Sequence, residues 1–239
     1  MSFTSSQKAR LLLLTTELTP KLSSARGALA NEMLETTSLD DDAKRFIVGL
    51  GSGDMTVEGF LDLDAINASF GQLDLLEGLL GAAGVVTYAP TGLALGSPVI
   101  LASGRMASFE EGTEVGGVAN FSLALTGDGH VAPGNSLHDL TAETIDGNGS
   151  AFDRGVASSA GAVAHLHCTA FSGLTNNIVT IEDSANGSSG WATIGTFTTI
   201  TAATYQRLEI TGAVRQYLRA VWNVTGTGSC TFQVSVAPL

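Results

Sequence analysis

Apolar and polar residues alternate over short stretches of this chain, and glycine, proline and serine cut those stretches off before they grow long. The clearest case begins at Asp54. Met55, Val57 and Leu61 fall on one side and Asp54, Thr56, Glu58 and Asp62 on the other, the period of a strand with one wet face, although Gly59 and Phe60 interrupt it. Residues 162–171 repeat the pattern, setting Ala164, Leu166, Cys168 and Ala170 against His165, His167 and Thr169. Further strand material is read at 85–88, 98–105, 118–126, 178–183, 214–224 and 230–236, the last two flanking Thr-Gly-Thr-Gly-Ser as a final hairpin. Asn186-Gly187 reads as a turn leading to Trp191. Residues 9–17 and 27–34 are short apolar runs that fit strands and also fit helices.

Two segments carry helical signals. In 36–53, Ser38 is placed to cap a turn, Asp40, Asp41 and Asp42 load its start with negative charge, and Lys44 and Arg45 follow at its end. Gly49, Gly51 and Gly53 then stop it before the strand at Asp54. In 62–80, Asp62 or Asp64 caps a helix along which Ile66, Phe70, Leu73, Leu76 or Glu77, and Leu80 follow at three to four residue steps, ended by Gly81 and Gly84. Residues 135–159 show no apolar period and read as a connection. The resulting expectation is a mostly-β chain: an antiparallel barrel or sandwich with one flanking helix over residues 1–146, then a small Ig-like sandwich over 147–239.

Composition supports that reading and narrows the function. Of 239 residues 14% are charged and 29 are glycine, which suits strands and tight turns better than long surface helices. The net charge is −12 with only 11 basic residues, and none of these lies between Phe46 and Gly104. Such a balance argues against gripping nucleic acid, because phosphate binding needs clustered Lys and Arg. No apolar run approaches a membrane span, and residues 11–14 are too short for a signal-peptide core, which points to folding in a cytoplasm and to Cys168 and Cys230 as thiols.

Candidate chemistry is sparse. His165 and His167 share a strand face, but no third ligand stands at metal-binding spacing, and a solvent-facing pair is the simpler reading. A disulfide between Cys168 and Cys230, joining two sheets, is the alternative to two thiols. Glu110, Glu111 and Glu114 are the best carboxylate group for acid–base work, yet carboxylates in a Gly-rich loop are ordinarily solvated. No nucleophile elbow, phosphate-binding loop, zinc signature or Cys-x-x-Cys pair occurs, so neither an enzymatic role nor a cofactor is expected. Trp191, Tyr217 and Trp222 would suit a sugar-stacking surface, the basis of an alternative reading as a carbohydrate-binding or adhesin module. Arg215 and Arg219 share a strand face, with Glu209 as a partner.

The succession TTSLDDDAKRFIVGLGSGDMTVEGFLD, a helix, VVTYAPTGLALGSPVILASG and VGGVANFSLALTGDG resembles the major tail tube proteins of long-tailed, non-contractile bacteriophages. AVAHLHCTAF, VTIEDSANGSSGW, GTFTTIT and VRQYLRAVWNVTGTGSCTFQVSVA are similar to the β domain that some of these carry after the tube fold. The resemblance implies a tail-tube-type sandwich or barrel whose copies close into hexameric rings, stacked into a virion tail that is assembled in the host cytoplasm. It implies the tape measure, tail terminator and distal tail proteins as partners, DNA as passing cargo and no membrane. The C-terminal domain would sit outside the wall, so that removing residues 151–239 leaves tube formation intact. Asp40, Asp41, Asp42, Lys44, Arg45, Gly49, Gly51 and Gly53 become the loop between rings. Glu58, Glu110, Glu111 and Glu114 become the acidic lumen, where carboxylates repel phosphate and shorten its dwell at the wall.

Overall fold

The computed structural model describes residues 8–18, 22–38, 40, 42–60, 80–81, 83–113 and 117–239. Every regular element of any length among them is a strand: β1 (Arg10–Leu13), β2 (Thr16–Glu17), β3 (Leu22–Glu35), β4 (Phe46–Phe60), β5 (Ala83–Ala89), β6 (Pro98–Gly112), β7 (Asn120–Glu143), β8 (Gly147–Asn148), β9 (Phe152–Asp153), β10 (Ala162–Ser184), β11 (Ala192–Thr196), β12 (Thr204–Ile210) and β13 (Tyr217–Pro238). The named strand pairs given with a register are all antiparallel. Of the helix expected over 62–80, residues 62–79 lie outside the described residues, and Leu80 forms an isolated parallel bridge with Met106.

The chain divides into two compact units: Met1–Pro20, Val85–Leu101 and Ala132–Leu239 form the first, Lys21–Gly84 and Ala102–Val131 the second. Neither is a single stretch of sequence. These units do not coincide with the segments 1–146 and 147–239, because residues 135–143 of β7 hydrogen-bond to β13 and so join the C-terminal strands.

The first unit is organised on β10 and β13, which pair from Ala162↔Pro238 to Ser184↔Tyr217. β12 takes the free edge of β10 over 162–168, and β7 takes that of β13 over 230–236. Over 162–168 of β10 and 232–237 of β13 both faces are buried. Phe232, Val234 and Val236 enter the main core with Leu166, Ile181, Leu218 and Trp222, while Ala237 joins Leu12, Leu93, Val99 and Leu101 in a second cluster. Gln233 and Ser235 share that second face fully buried, and the Gln233 amide donates to Ser235 and, at 3.4 Å, to Ser136 Oγ, which offsets much of the cost of removing them from water. Thr-Gly-Thr-Gly-Ser at 225–229 therefore corrects the expected hairpin: it lies inside β13, where register shifts against β10 absorb its glycines. Residues 135–159, expected to be a connection, also contain strand, namely the end of β7 with β8 and β9.

The second unit is built on a long hairpin. β3 and β4 pair from Leu22↔Gly59 to Glu35↔Phe46, and residues 54–60 of β4 pair on their other edge with residues 120–126 of β7. Met55 stands opposite Leu125, Val57 opposite Leu123 and Gly59 opposite Phe121. All six face inward, each large side chain contributing about 2 kcal/mol by its burial. Gly59, opposite buried Phe121, keeps the inward phase without a side chain, and Phe60 is turned to solvent. Residues 36–45 are the hairpin's tip, with Thr36 N–H donating to the Arg45 carbonyl at 2.9 Å. This corrects the expected helical turn: the described tip residues show turns and bends, and Gly49, Gly51 and Gly53 lie within β4.

Candidate functional site

In the second unit, Glu58 on β4 and Glu110 and Glu111 on β6 line one open cleft of about 420 Å³, together with Phe60, Asn120 and Ser122. Strand alternation explains the meeting. Glu58 occupies the wet face of β4, one residue out of phase with Val57, and Glu110 and Glu111 sit at the exposed end of β6. Three of the four carboxylates assigned to an acidic surface are thus brought together, and Glu114 lies outside the described residues. A cleft lined this way holds a concentrated negative potential that disfavours phosphate. Among the described residues, no group of three or more His, Cys, Asp or Glu side chains is placed to share a metal ion.

The hairpin tip is the unit's second feature. Lys44 Nζ reaches Glu35 at 3.1 Å, and Thr37 Oγ1 donates to Glu35 at 2.9 Å while accepting from Arg45 N–H at 3.0 Å. These bonds close the turn around exposed Asp40 and Asp42. Just behind it, Met33, Leu34, Phe46 and Ile47 present apolar side chains to solvent, Met33 at 55% and Ile47 at 54% exposure. Sequence reading placed the loop here but missed this apolar collar, since without the hairpin nothing shows that these residues lack a core to enter.

In the first unit the structure corrects several assignments. His165 and His167 are buried, not solvent-facing, at 1% and 0% exposure. His167 Nδ1–H donates to the Leu14 carbonyl at 2.7 Å, leaving Nε2 to accept from the Thr87 hydroxyl at 2.8 Å. Thr87 Oγ1 also lies 3.3 Å from His165 Nδ1. Leu14 presents that carbonyl from a left-handed backbone, φ 55°, found at no other non-glycine among the described residues. Burial pulls the His167 pKa down to about 4, the Leu14 bond opposing it. Burial, with His167 and Arg207 nearby, holds His165 well below the ordinary range. Both rings are neutral structural groups.

Trp222 is likewise a core residue. It packs edge-on to His138 and Phe232, and its Nε1–H donates to the Ile145 carbonyl at 3.1 Å. The Trp191 ring is covered by the Arg219 guanidinium 4.3 Å from its centroid, so the two tryptophans form no open stacking platform. Arg219 pairs with Glu182 at 2.6 Å and Arg215 with Asp183 at 3.6 Å, whereas Glu209, the expected partner, pairs with Arg207. Cys168 and Cys230 are buried free thiols on neighbouring strands of the same ladder.

No family model matches this chain. No curated protein matches it either. Among solved structures, a chain from the virion of a native gene transfer agent particle is similar over 55% of this chain and 98% of its own, at 16% identity and a TM-score of 0.41. The SPP1 Dit (gp 19.1) protein, titled a paradigm of the hub adsorption apparatus of phages infecting Gram-positive hosts, is similar over 97% of this chain and 99% of its own, at 11% identity and a TM-score of 0.40. The SPP1 tail tube protein is similar over 54% of this chain and 78% of its own, at 13% identity and a TM-score of 0.42. All three TM-scores lie below 0.5.

Proposed function

We propose that this chain is a structural protein of a bacteriophage-type tail, whose copies close into rings, hexameric in the family its sequence resembles, and stack into a tube through which DNA passes without specific binding. The observation that carries the reading is the β3–β4 hairpin, which holds Met33, Leu34, Phe46 and Ile47 in solvent at its far end. A hairpin that displays apolar side chains exposes what folding ordinarily hides. Covering each of these half-exposed side chains against another copy contributes roughly 1 kcal/mol. Residues 46–53 of β4 have β3 as their only partner among the described pairings, so backbone edges near the tip are also open to a neighbour.

Glu58, Glu110 and Glu111 supply the lumen surface in this reading, their shared cleft keeping phosphate from settling on the wall. Asp40, Asp42, Lys44 and Arg45 at the tip, together with Asp41, which lies outside the described residues, and with Gly49, Gly51 and Gly53 behind them, make the contact between rings. The segment 1–146 carries assembly and 147–239 decorates its outside. Its partners are copies of itself and the tape measure, terminator and distal tail proteins, met during assembly in the host cytoplasm and retained in the virion.

The test is the paired substitution Phe46→Ser and Ile47→Ser. Both residues are exposed, so the variant should fold with its denaturation midpoint within error of the parent, and in sedimentation velocity it should fail to form the concentration-dependent high-mass species expected of the parent. Unchanged assembly in the folded variant removes the hairpin tip from the interface.

A further inference from the structure

We propose that Cys168 and Cys230 are a latent disulfide: an oxidant that reaches them joins β10 to β13 covalently, and a thiol reductant releases them. Their sulfurs lie 3.5 Å apart, and both residues are 0% exposed. In the ladder Cys168 stands opposite Phe232 and Cys230 opposite Phe171, a diagonal rather than a facing pair. The register shift between Cys168 and Ala170 adds a residue to β10 at this point, and such a bulge re-aims side chains. Closing the bond requires the sulfurs to approach to about 2 Å, a movement within reach of side-chain rotation.

The surroundings favour reaction at one sulfur. The hydrogen-bonding contact with the Cys230 sulfur, together with burial, pushes the Cys168 thiol up. The same contact with Cys168 pulls Cys230 down, and the neighbouring Asn177 side chain acts in the same direction, against burial. Asn177 is itself fully buried, and neither its amide oxygen nor its nitrogen is matched by a well-formed hydrogen bond, so this part of the core holds polar capacity the fold leaves unused.

Access comes through the same irregular ladder. Two further register shifts, at Ser172/Leu174 and Leu174/Asn176, lie beside the pair, and residues 172, 173, 175 and 225–227 are exposed. Local opening there admits a small oxidant without global unfolding. With hydrogen peroxide, the Cys230 thiolate attacks one oxygen and the O–O bond breaks, leaving a sulfenic acid and hydroxide. The Cys168 sulfur then attacks the Cys230 sulfur and displaces its hydroxyl, and the displaced group and the first hydroxide take up the two thiol protons and leave as water. Two electrons pass from the thiols to peroxide.

The experiment uses the full chain, folded, reduced and then exposed to hydrogen peroxide. The expected result is an intact mass lower by two hydrogens, a Cys168–Cys230 linked peptide in the unreduced digest, a melting temperature raised by several degrees and reversal of all three by dithiothreitol. Cys168→Ser and Cys230→Ser, tested separately, should show no such mass loss. Because the parent measurement stands alone, a variant that fails to fold leaves the test decisive. Thiols that survive peroxide in the folded chain, oxygen added to either sulfur without a link, or linkage between chains would each overturn the proposal.

Discussion

Lowering the pH should weaken the first unit through His167, by an amount that follows from its burial. Its ring is neutral in the fold, with a pKa near 4, and returns to about 6.5 in the unfolded chain. Above the unfolded value neither state binds the proton, and the fold has its full stability. Between the two values only the unfolded chain is protonated, so stability falls by about 1.4 kcal/mol per pH unit. Roughly 2 kcal/mol is gone by about pH 5 and about 3 kcal/mol by about pH 4. His165, shifted in the same direction by burial, by His167 and by Arg207, steepens the slope. Asp153, whose pKa is lowered from 3.8 chiefly by the Gln216 side chain, contributes stability that is lost only at more acidic pH, so its window is separate. Urea denaturation at closely spaced pH values measures the slope for the parent and for His167→Asn. The variant is less stable at neutral pH because the Thr87 and Leu14 bonds are disturbed, but its slope between about pH 6.5 and about pH 4 should be shallower by close to one proton. Equal slopes in the two proteins refute a neutral, buried His167.

Three further outcomes follow from the geometry. Gly127→Ala places a Cβ 2.5 Å from the Gly53 carbonyl oxygen, so the backbone must shift, and chemical denaturation should show a loss of about 1 to 3 kcal/mol. Replacing Glu58, Glu110 and Glu111 together by Gln should leave stability within about 0.5 kcal/mol, since all three are exposed, while the assembled protein retains more DNA in low-salt co-sedimentation. Deleting residues 151–239 keeps every partner of β4, because these lie in 22–35 and 120–126, so amide exchange should show residues 54–60 still protected and assembly retained. A truncated chain that keeps this protection yet cannot assemble assigns the removed part to the wall.

The strands that were legible in the sequence are those with one wet face. Met55 and Val57 alternate with Asp54, Thr56 and Glu58 because β4 buries a single side there, and the reading from period two carries straight into the structure. Residues 162–168 alternate just as clearly, but both faces of β10 are covered there, so the alternation separates two interiors and does not mark His165 and His167 as solvent-facing. What meets the second face is Leu14, just after β1, and Thr87 of β5, distant in sequence and silent in the local pattern. The tip at 36–45 carries local helix-start chemistry in Ser38 and its aspartates, yet its ends are fixed by pairing between Glu35 and Phe46, and that long-range ladder overrides the local preference. Thr-Gly-Thr-Gly-Ser has turn composition and is instead a bulged passage, held straight by β10 along its length. Of the acidic surface, the residue types were legible, while the convergence of Glu58 with Glu110 and Glu111 depends on strands some fifty residues apart in the chain.

The central claim is self-assembly, and electron microscopy of the purified full chain, concentrated at neutral pH, tests it most directly. The account predicts rings or stacked tubes whose inter-ring density accommodates the β3–β4 hairpin. A protein that remains monomeric at every concentration, even in the presence of the other tail components, would contradict it.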